Sequence, residues 1–375
     1  MIPLVDLRAG FEEVRGEVLA GFVDALESMR LFIGPNTTAL ESEFARFIGS
    51  RDCIGVSNGT DALVLALEAC GVGPGDEVIV PSHTFFATVE AVIHVGAVPV
   101  FVDVDPVTLT IDPGAVAAAV GPRARAVMPV HLYGHPADMA EIGAVAARHG
   151  LTVIEDVSQA HGARAHGRAV GTFGRAAGFS CYFTKNLGAY GEAGLITTDD
   201  AEVAGRVRLL RNHGHATKER HDAVGYNFRL DELQAVVLRA RLKRLAADNE
   251  RRRRIAGKYR ERLAGVPGIT LPATAAWAEH VFHLFVIRSD DRDRLRDFLA
   301  GREIGTGIHY AVPVHRQPAI EARGLVVPSL PVTERIVGEI LSLPVYPQMT
   351  ETQVDQVCDA IRAFAAQGSL RTRTG

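Results

Sequence analysis

Two hydrophobic periods run along this chain and mark where its elements lie. Between residues 11 and 29, apolar side chains recur every three or four places, at Phe11, Val14, Val18, Phe22 and Leu26. The same spacing returns between residues 38 and 48 around Leu40, Phe44 and Phe47. Both stretches predict helices with one buried face. Short apolar runs then take over, at residues 54–56, 77–80, 99–102, 126–130 and 152–154, with helical stretches between them, such as the one through Leu63 and Leu67. Strands alternating with helices predict a doubly wound α/β sheet with parallel pairing and right-handed crossovers. Ligands of such a sheet sit at the carboxyl ends of its strands. Residues 233–263 predict one long charged helix, and the arginine run at 251–254 reads as its solvated face rather than a nucleic-acid patch. After about residue 268 the pattern mixes a strand at 283–287 with helices at 291–299 and 351–364, and 371–375 reads as a frayed tail. The expected division is a large domain over residues 1–245 and a smaller α+β domain over 246–375.

Composition narrows the picture only a little. A length of 375 residues exceeds one simple core, in keeping with two domains. The net charge of −4 gives no support for a nucleic-acid partner. Cys53, Cys70, Cys181 and Cys358 are scattered without metal-ligand spacing, so no metal site is expected and reduced thiols in the cytoplasm are the simplest reading. Asp6 and Arg8 make the start unlike a signal peptide, and no apolar run approaches a membrane span.

The candidate chemistry gathers after the fifth strand. Glu155 and Asp156 close an apolar run, Gln159 and His161 follow, and Ser180 and Lys185 come next. A buried amine can form a Schiff base with an aldehyde, and a carboxylate at a strand end can keep a pyridine nitrogen protonated. A carboxylate so placed needs a partner, and an arginine is the plainer alternative. Ser57, Asn58, Gly59, Thr60 and Asp61 sit where a strand turns into a helix, a place suited to a phosphate and equally to a simple helix cap. Phe85 follows the second strand and can stack on a flat heterocycle, though taken alone it reads as a core phenylalanine. His161 by itself reads as a local hydrogen-bonding group. Burial is expected to lower the Lys185 pKa. Gly188, Gly191 and Gly194 are expected to leave room beside it for a bulky substrate.

These motifs together resemble the DegT/DnrJ/EryC1/StrS group of pyridoxal-phosphate-dependent sugar aminotransferases, of fold type I. The resemblance runs from about Pro3 to about Phe364. It rests on residues 57–63, 155–162, 184–188 and 225–231, with later agreement at 307–310, 315–318 and 343–344. It implies a mixed, mostly parallel sheet sandwiched by helices plus the smaller C-terminal domain. It implies that Lys185 holds the cofactor aldehyde and moves protons, and that Asp156 pairs with the ring nitrogen. Phe85 would stack on the ring, Gln159 would meet its hydroxyl, and Gly59, Thr60 and Ser180 would hold the phosphate. Asn227 would reach the phosphate of a neighbouring subunit, making a homodimer with shared sites, and Arg229 would meet the donor carboxylate.

The implied reaction passes the amino group of L-glutamate to a nucleotide-linked keto-sugar. Tyr182 stands where enzymes for 4-keto sugars often carry histidine. With Lys218, Tyr310 and the 131–138 and 185–192 segments, this points to a dTDP-3-keto-6-deoxyhexose and a 3-amino-3,6-dideoxy product. Glu192, Ala193 and Phe228 depart from the commonest pattern of the group. The alternative acceptors are a 4-keto sugar nucleotide, a keto-uronic sugar or a keto-cyclitol. A dehydratase or lyase is the other branch, against which Lys185 argues, because members of that branch carry histidine there.

Overall fold

The computed structural model describes residues 1–325 and 327–371, so residues 372–375 of the expected tail lie outside the described residues. The large sheet has seven strands: β1 (Asp52–Val56), β2 (Glu77–Pro81), β3 (Val98–Val102), β4 (Ala124–Val127), β5 (Thr152–Asp156), β6 (Ala176–Ser180) and β7 (Gly194–Thr198). Their order is β1-β7-β6-β5-β4-β2-β3. The pairs β2–β3, β2–β4, β4–β5 and β5–β6 are parallel, as the strand–helix alternation requires. The departure is β7, which runs antiparallel to both β1 and β6. A direct return loop joins β6 to β7, and only an antiparallel neighbour can be reached that way. That loop carries Lys185.

Alternate residues of each strand face two helix layers. Val78 and Val80 enter one core with Ile54, Ala176 and Ile196, whereas Ile79 and Val127 enter another on the opposite face. Helices α1 (Leu7–Glu12), α2 (Arg15–Ser28), α3 (Pro35–Ile48), α4 (Gly59–Ala69), α5 (Phe86–His94), α6 (Pro113–Ala118), α7 (Met139–His149), α8 (Ala201–Leu210) and α9 (Glu232–Leu263) surround this sheet. A three-stranded antiparallel sheet of residues 269–270, 285–289 and 340–343 follows, packed on α9 and on the terminal helix Glu351–Arg371. Tyr259, Phe285, Leu341, Leu343, Val357 and Ile361 form its core. Helix α9 is continuous through residue 246.

Three local expectations change. The helix foreseen at 11–29 is broken into α1 and α2 at Glu13 and Val14. Glu13 lies at the break and pairs with Arg244 at 2.8 Å and Arg251 at 3.0 Å, both on α9. The fourth strand ends at Val127 rather than at 130, and Pro129 lacks the N–H a further ladder bond would need. The arginine run is not all solvated. Arg252 is buried and donates to the carbonyls of Phe282, His283 and Val345, the last at 2.6 Å.

Candidate active site

The site forms where β1, β2, β5 and β6 end. Asp156 is the last residue of β5, and its register partner on β6 is Gly178, two places before Ser180. The sheet therefore delivers Asp156, Ser180 and the Lys185 loop to one edge. Among the described residues, no arginine hydrogen-bonds or ion-pairs with Asp156. Its Oδ2 accepts from Thr88 Oγ1 at 2.8 Å and its Oδ1 from Ser158 N at 3.1 Å. The carboxylate is held at 4% exposure by two neutral donors.

Lys185 lies partly buried in the β6–β7 loop. Burial pushes its amine down to about 8, against the pull of Asp156, Cys181 and Glu192. At neutral pH such an amine has an appreciable neutral, nucleophilic fraction, far more than an ordinary lysine. The same charge acts outward, because burial and Lys185 together hold His161 down at about 3 and His309 at about 4. His161 is thus a neutral buried ring beside Cys181.

The turn between β1 and α4 closes the other side. Asn58 caps α4 through its Oδ1, which accepts from Asp61 N at 2.9 Å, and its Nδ2 donates to Asp61 Oδ2 at 2.7 Å. A Cβ on Gly59 would lie 2.5 Å from Ser180 Cβ, so only glycine lets this helix N-terminus abut the end of β6. Gly59, Thr60 and Ser180 thereby share one cradle of N–H and hydroxyl groups at a helix start, a suitable phosphate site. Gly188 and Gly194 do not make room as expected, whereas a Cβ on Gly191 would meet only the Gln234 side chain, at 3.3 Å. A Cβ on Gly188 would lie 2.6 Å from Phe183 O, and one on Gly194 would lie 2.1 Å from Asn58 O. They serve close backbone packing, and Gly194 presses β7 onto the cradle.

Gln159, Phe85 and Tyr310 meet as a group. Gln159 Oε1 accepts from Tyr133 N at 2.7 Å and its Nε2 donates to Tyr310 OH at 2.9 Å. Phe85 is 54% exposed, with its ring 5.5 Å from that of Tyr310. Tyr133 was not foreseen, although its hydroxyl donates to His309 O and it lies 2.6 Å from His83 Nε2. Thr88 was also missed; no local pattern separates it from other helix threonines. Tyr182 is exposed beside Phe183. Asn227, Lys218 and Arg229 stand apart. Asn227 bridges Asn212, Lys218 is exposed, and Arg229 lies 4.1 Å over the Phe32 ring. Among the described residues, no hydrogen bond or ring contact joins any of the three to Lys185.

The donor set fits pyridoxal phosphate: a depressed lysine amine, a fixed carboxylate at the neighbouring strand end, an exposed aromatic ring and a glycine-shaped anion cradle. No helix of the described residues is long and apolar enough to cross a membrane, and no cluster among them has the make-up of a metal site.

Comparison with known proteins agrees. The model of the DegT/DnrJ/EryC1/StrS aminotransferase family matches residues 13–362. A dTDP-3-amino-3,4,6-trideoxy-alpha-D-glucose transaminase of Streptomyces venezuelae is 47% identical, over 97% of this chain and 96% of that protein. A UDP-N-acetyl-3-dehydro-alpha-D-glucosamine 3-aminotransferase of Acidithiobacillus ferrooxidans is 46% identical, over 96% of this chain and 97% of that one. Among solved structures, S. venezuelae DesV in complex with a ketimine intermediate superposes with a TM-score of 0.95 at 47% identity, covering 97% of this chain and 98% of that one.

Proposed function

Because the chain belongs to the DegT/DnrJ/EryC1/StrS aminotransferase family, we propose that it is a pyridoxal-phosphate-dependent transaminase that moves the amino group of L-glutamate to C3 of a dTDP-linked 3-keto-6-deoxyhexose. The observation that carries this reading is the depressed amine of Lys185 beside the fixed carboxylate of Asp156. The acceptor follows from Tyr182 and from the relatives, which act on 3-amino or 3-keto sugar nucleotides.

When bound, pyridoxal phosphate supplies an electron sink for charge left on the carbon that bears the amine. Lys185 supplies the proton chemistry. With its pKa near 8, the free amine takes a proton from the donor carbon and returns one to the acceptor carbon. Asp156, braced by Thr88 and Ser158, holds a negative charge fixed toward a ring nitrogen. Gly59, Thr60 and Ser180 receive the phosphate at the α4 N-terminus. Phe85 would cover the ring, Gln159 would meet its hydroxyl and Tyr310 would border the sugar, whereas the His161 ring, fully buried beside Cys181, is not open to a sugar. Glutamate leaves as 2-oxoglutarate and the keto-sugar as its amine, so nitrogen and hydrogen balance across the two halves.

The site is completed in a homodimer. Asn227, Lys218 and Arg229 make no hydrogen bond or ring contact with Lys185 among the described residues, and Leu19, Val23 and Leu26 leave an apolar face of α2 exposed. A second copy seated there would receive the 212–229 segment at its own cofactor. The chain divides functionally near residues 245 and 246, with α9 shared by both parts. The four buried, unpaired cysteines suit the cytoplasm.

The test is a donor and acceptor survey. Purified enzyme with pyridoxal phosphate and L-glutamate is expected to form 2-oxoglutarate with dTDP-3-keto-6-deoxyhexose. Formation only with 4-keto sugars refutes the regiochemistry, and formation only with UDP sugars refutes the nucleotide.

A further inference from the structure

Helix α9 carries one buried amide that its charged sequence conceals. Asn249 is 3% exposed. Its Nδ2 donates to His161 O at 2.8 Å, in the loop that follows Asp156. Its Oδ1 accepts from Asn186 Nδ2 at 2.8 Å, on the residue that follows Lys185. Asn186 gives its second N–H to Val281 O at 3.2 Å, and its Oδ1 accepts from His283 Nδ1 at 3.2 Å. The carbonyls of His161 and Val281 can only accept, so each amide nitrogen must face one of them. Neither amide can then flip without stranding a buried group. Gly162 permits the approach. Its φ is +82°, and a Cβ there would lie 3.0 Å from Asn249 Nδ2.

The ladder between β5 and β6 ends at Asp156 and Gly178. Val157 N still donates to Gly178 O at 2.8 Å, but the ladder does not reach His161 or Lys185, so their spacing is set by contacts outside it. Asn249 touches both loops. Arg241, on the same helix, adds a second tie by donating to Gly188 O at 2.7 Å. We infer that Asn249 is a positioning residue that, through Asn186 and the His161 carbonyl, sets the reach of the Lys185 amine relative to Asp156. The inference rests on Lys185 being the cofactor-bearing lysine.

Holoenzyme variants test it. Asn249→Leu removes both hydrogen bonds at nearly constant volume. Asn249→Asp keeps the acceptor for Asn186 but cannot donate to His161 O. Glu250→Ala alters the exposed neighbour. The pH midpoint of the cofactor's visible band is titrated, and kcat and KM are measured for both substrates. Asn249→Leu is expected to move the midpoint by about half a unit or more. It is expected to lower kcat roughly 10–100-fold, as small misplacements of reacting groups do, with KM held within about threefold. Asn249→Asp is expected to fall between this and wild type, and Glu250→Ala to match wild type. A folded Asn249→Leu protein with the wild-type midpoint and kcat overturns the inference. Should that protein not fold, Asn249→Ser is titrated instead, and wild-type values there overturn it equally. A wild-type protein without any visible band refutes the role of Lys185 itself, a result distinct from a normal band with unaffected variants.

Discussion

Glu155→Gln should loosen the floor beneath Asp156, and the structure sets the size of the effect. Glu155 is fully buried. Its Oε1 accepts from Phe173 N and Gly174 N, each at 2.8 Å. Its Oε2 accepts from Gly171 N at 2.8 Å and from His131 Nε2 at 3.0 Å. The histidine cannot change tautomer to accommodate an amide, because its Nδ1 already accepts from Ala137 N at 2.9 Å. Whichever way a glutamine turns, its NH2 faces two donors. Two hydrogen bonds to a charged acceptor are lost, at about 1.5–3 kcal/mol each. Relief of the buried carboxylate's desolvation offsets part of this, leaving a net loss of about 2–4 kcal/mol. Urea unfolding at fixed protein concentration reads it directly. With m of about 3 kcal/mol/M, the midpoint should fall by roughly 0.7–1.3 M. Turnover should fall too, because His131 N donates to Asp156 O at 3.1 Å and Asp156 N to Pro129 O at 2.9 Å. A variant with the wild-type midpoint and rate refutes the reasoning.

Further outcomes are expected. Lys185→Ala should abolish the visible cofactor band, expected near ~410–430 nm, and turnover, with the circular dichroism spectrum intact; retained turnover removes Lys185 from its role. The neutral amine is the nucleophile, and a lowered pKa makes it appear at lower pH. Cofactor capture by apo-protein, followed by stopped-flow absorbance, should therefore rise with pH and level off above about 8; a rise centred at the ordinary lysine value contradicts this. Gly59→Ala places a Cβ 2.5 Å from Ser180 Cβ. It should weaken cofactor retention on dialysis roughly tenfold or more, equivalent to about 1.4 kcal/mol, and unchanged retention would show the cradle is not the phosphate site.

Local pattern was enough to locate β1 to β5, the long helix and the Asp156 and Lys185 motifs, but it left β6 and β7 unmarked. A strand's burial alternation and the residues at its carboxyl end are written within a few places of one another. The doublet Glu155–Asp156 was visible, but the four donors that give Glu155 its work come from residues 131 and 171–174. Thr88 and Asn249 carry no mark in their own neighbourhoods, because each acts on a group at least 68 residues away. The same holds for Arg252, whose run of charged neighbours spoke for solvent until Phe282, His283 and Val345 enclosed it. The reversal of β7 belongs to this group as well, since pairing direction depends on which distant strand accepts its ladder. Periodicity along the chain determined which faces are apolar and that strands and helices alternate. Only the tertiary structure decided which donor meets which acceptor, because a hydrogen bond is satisfied by proximity in space, whatever the separation along the chain.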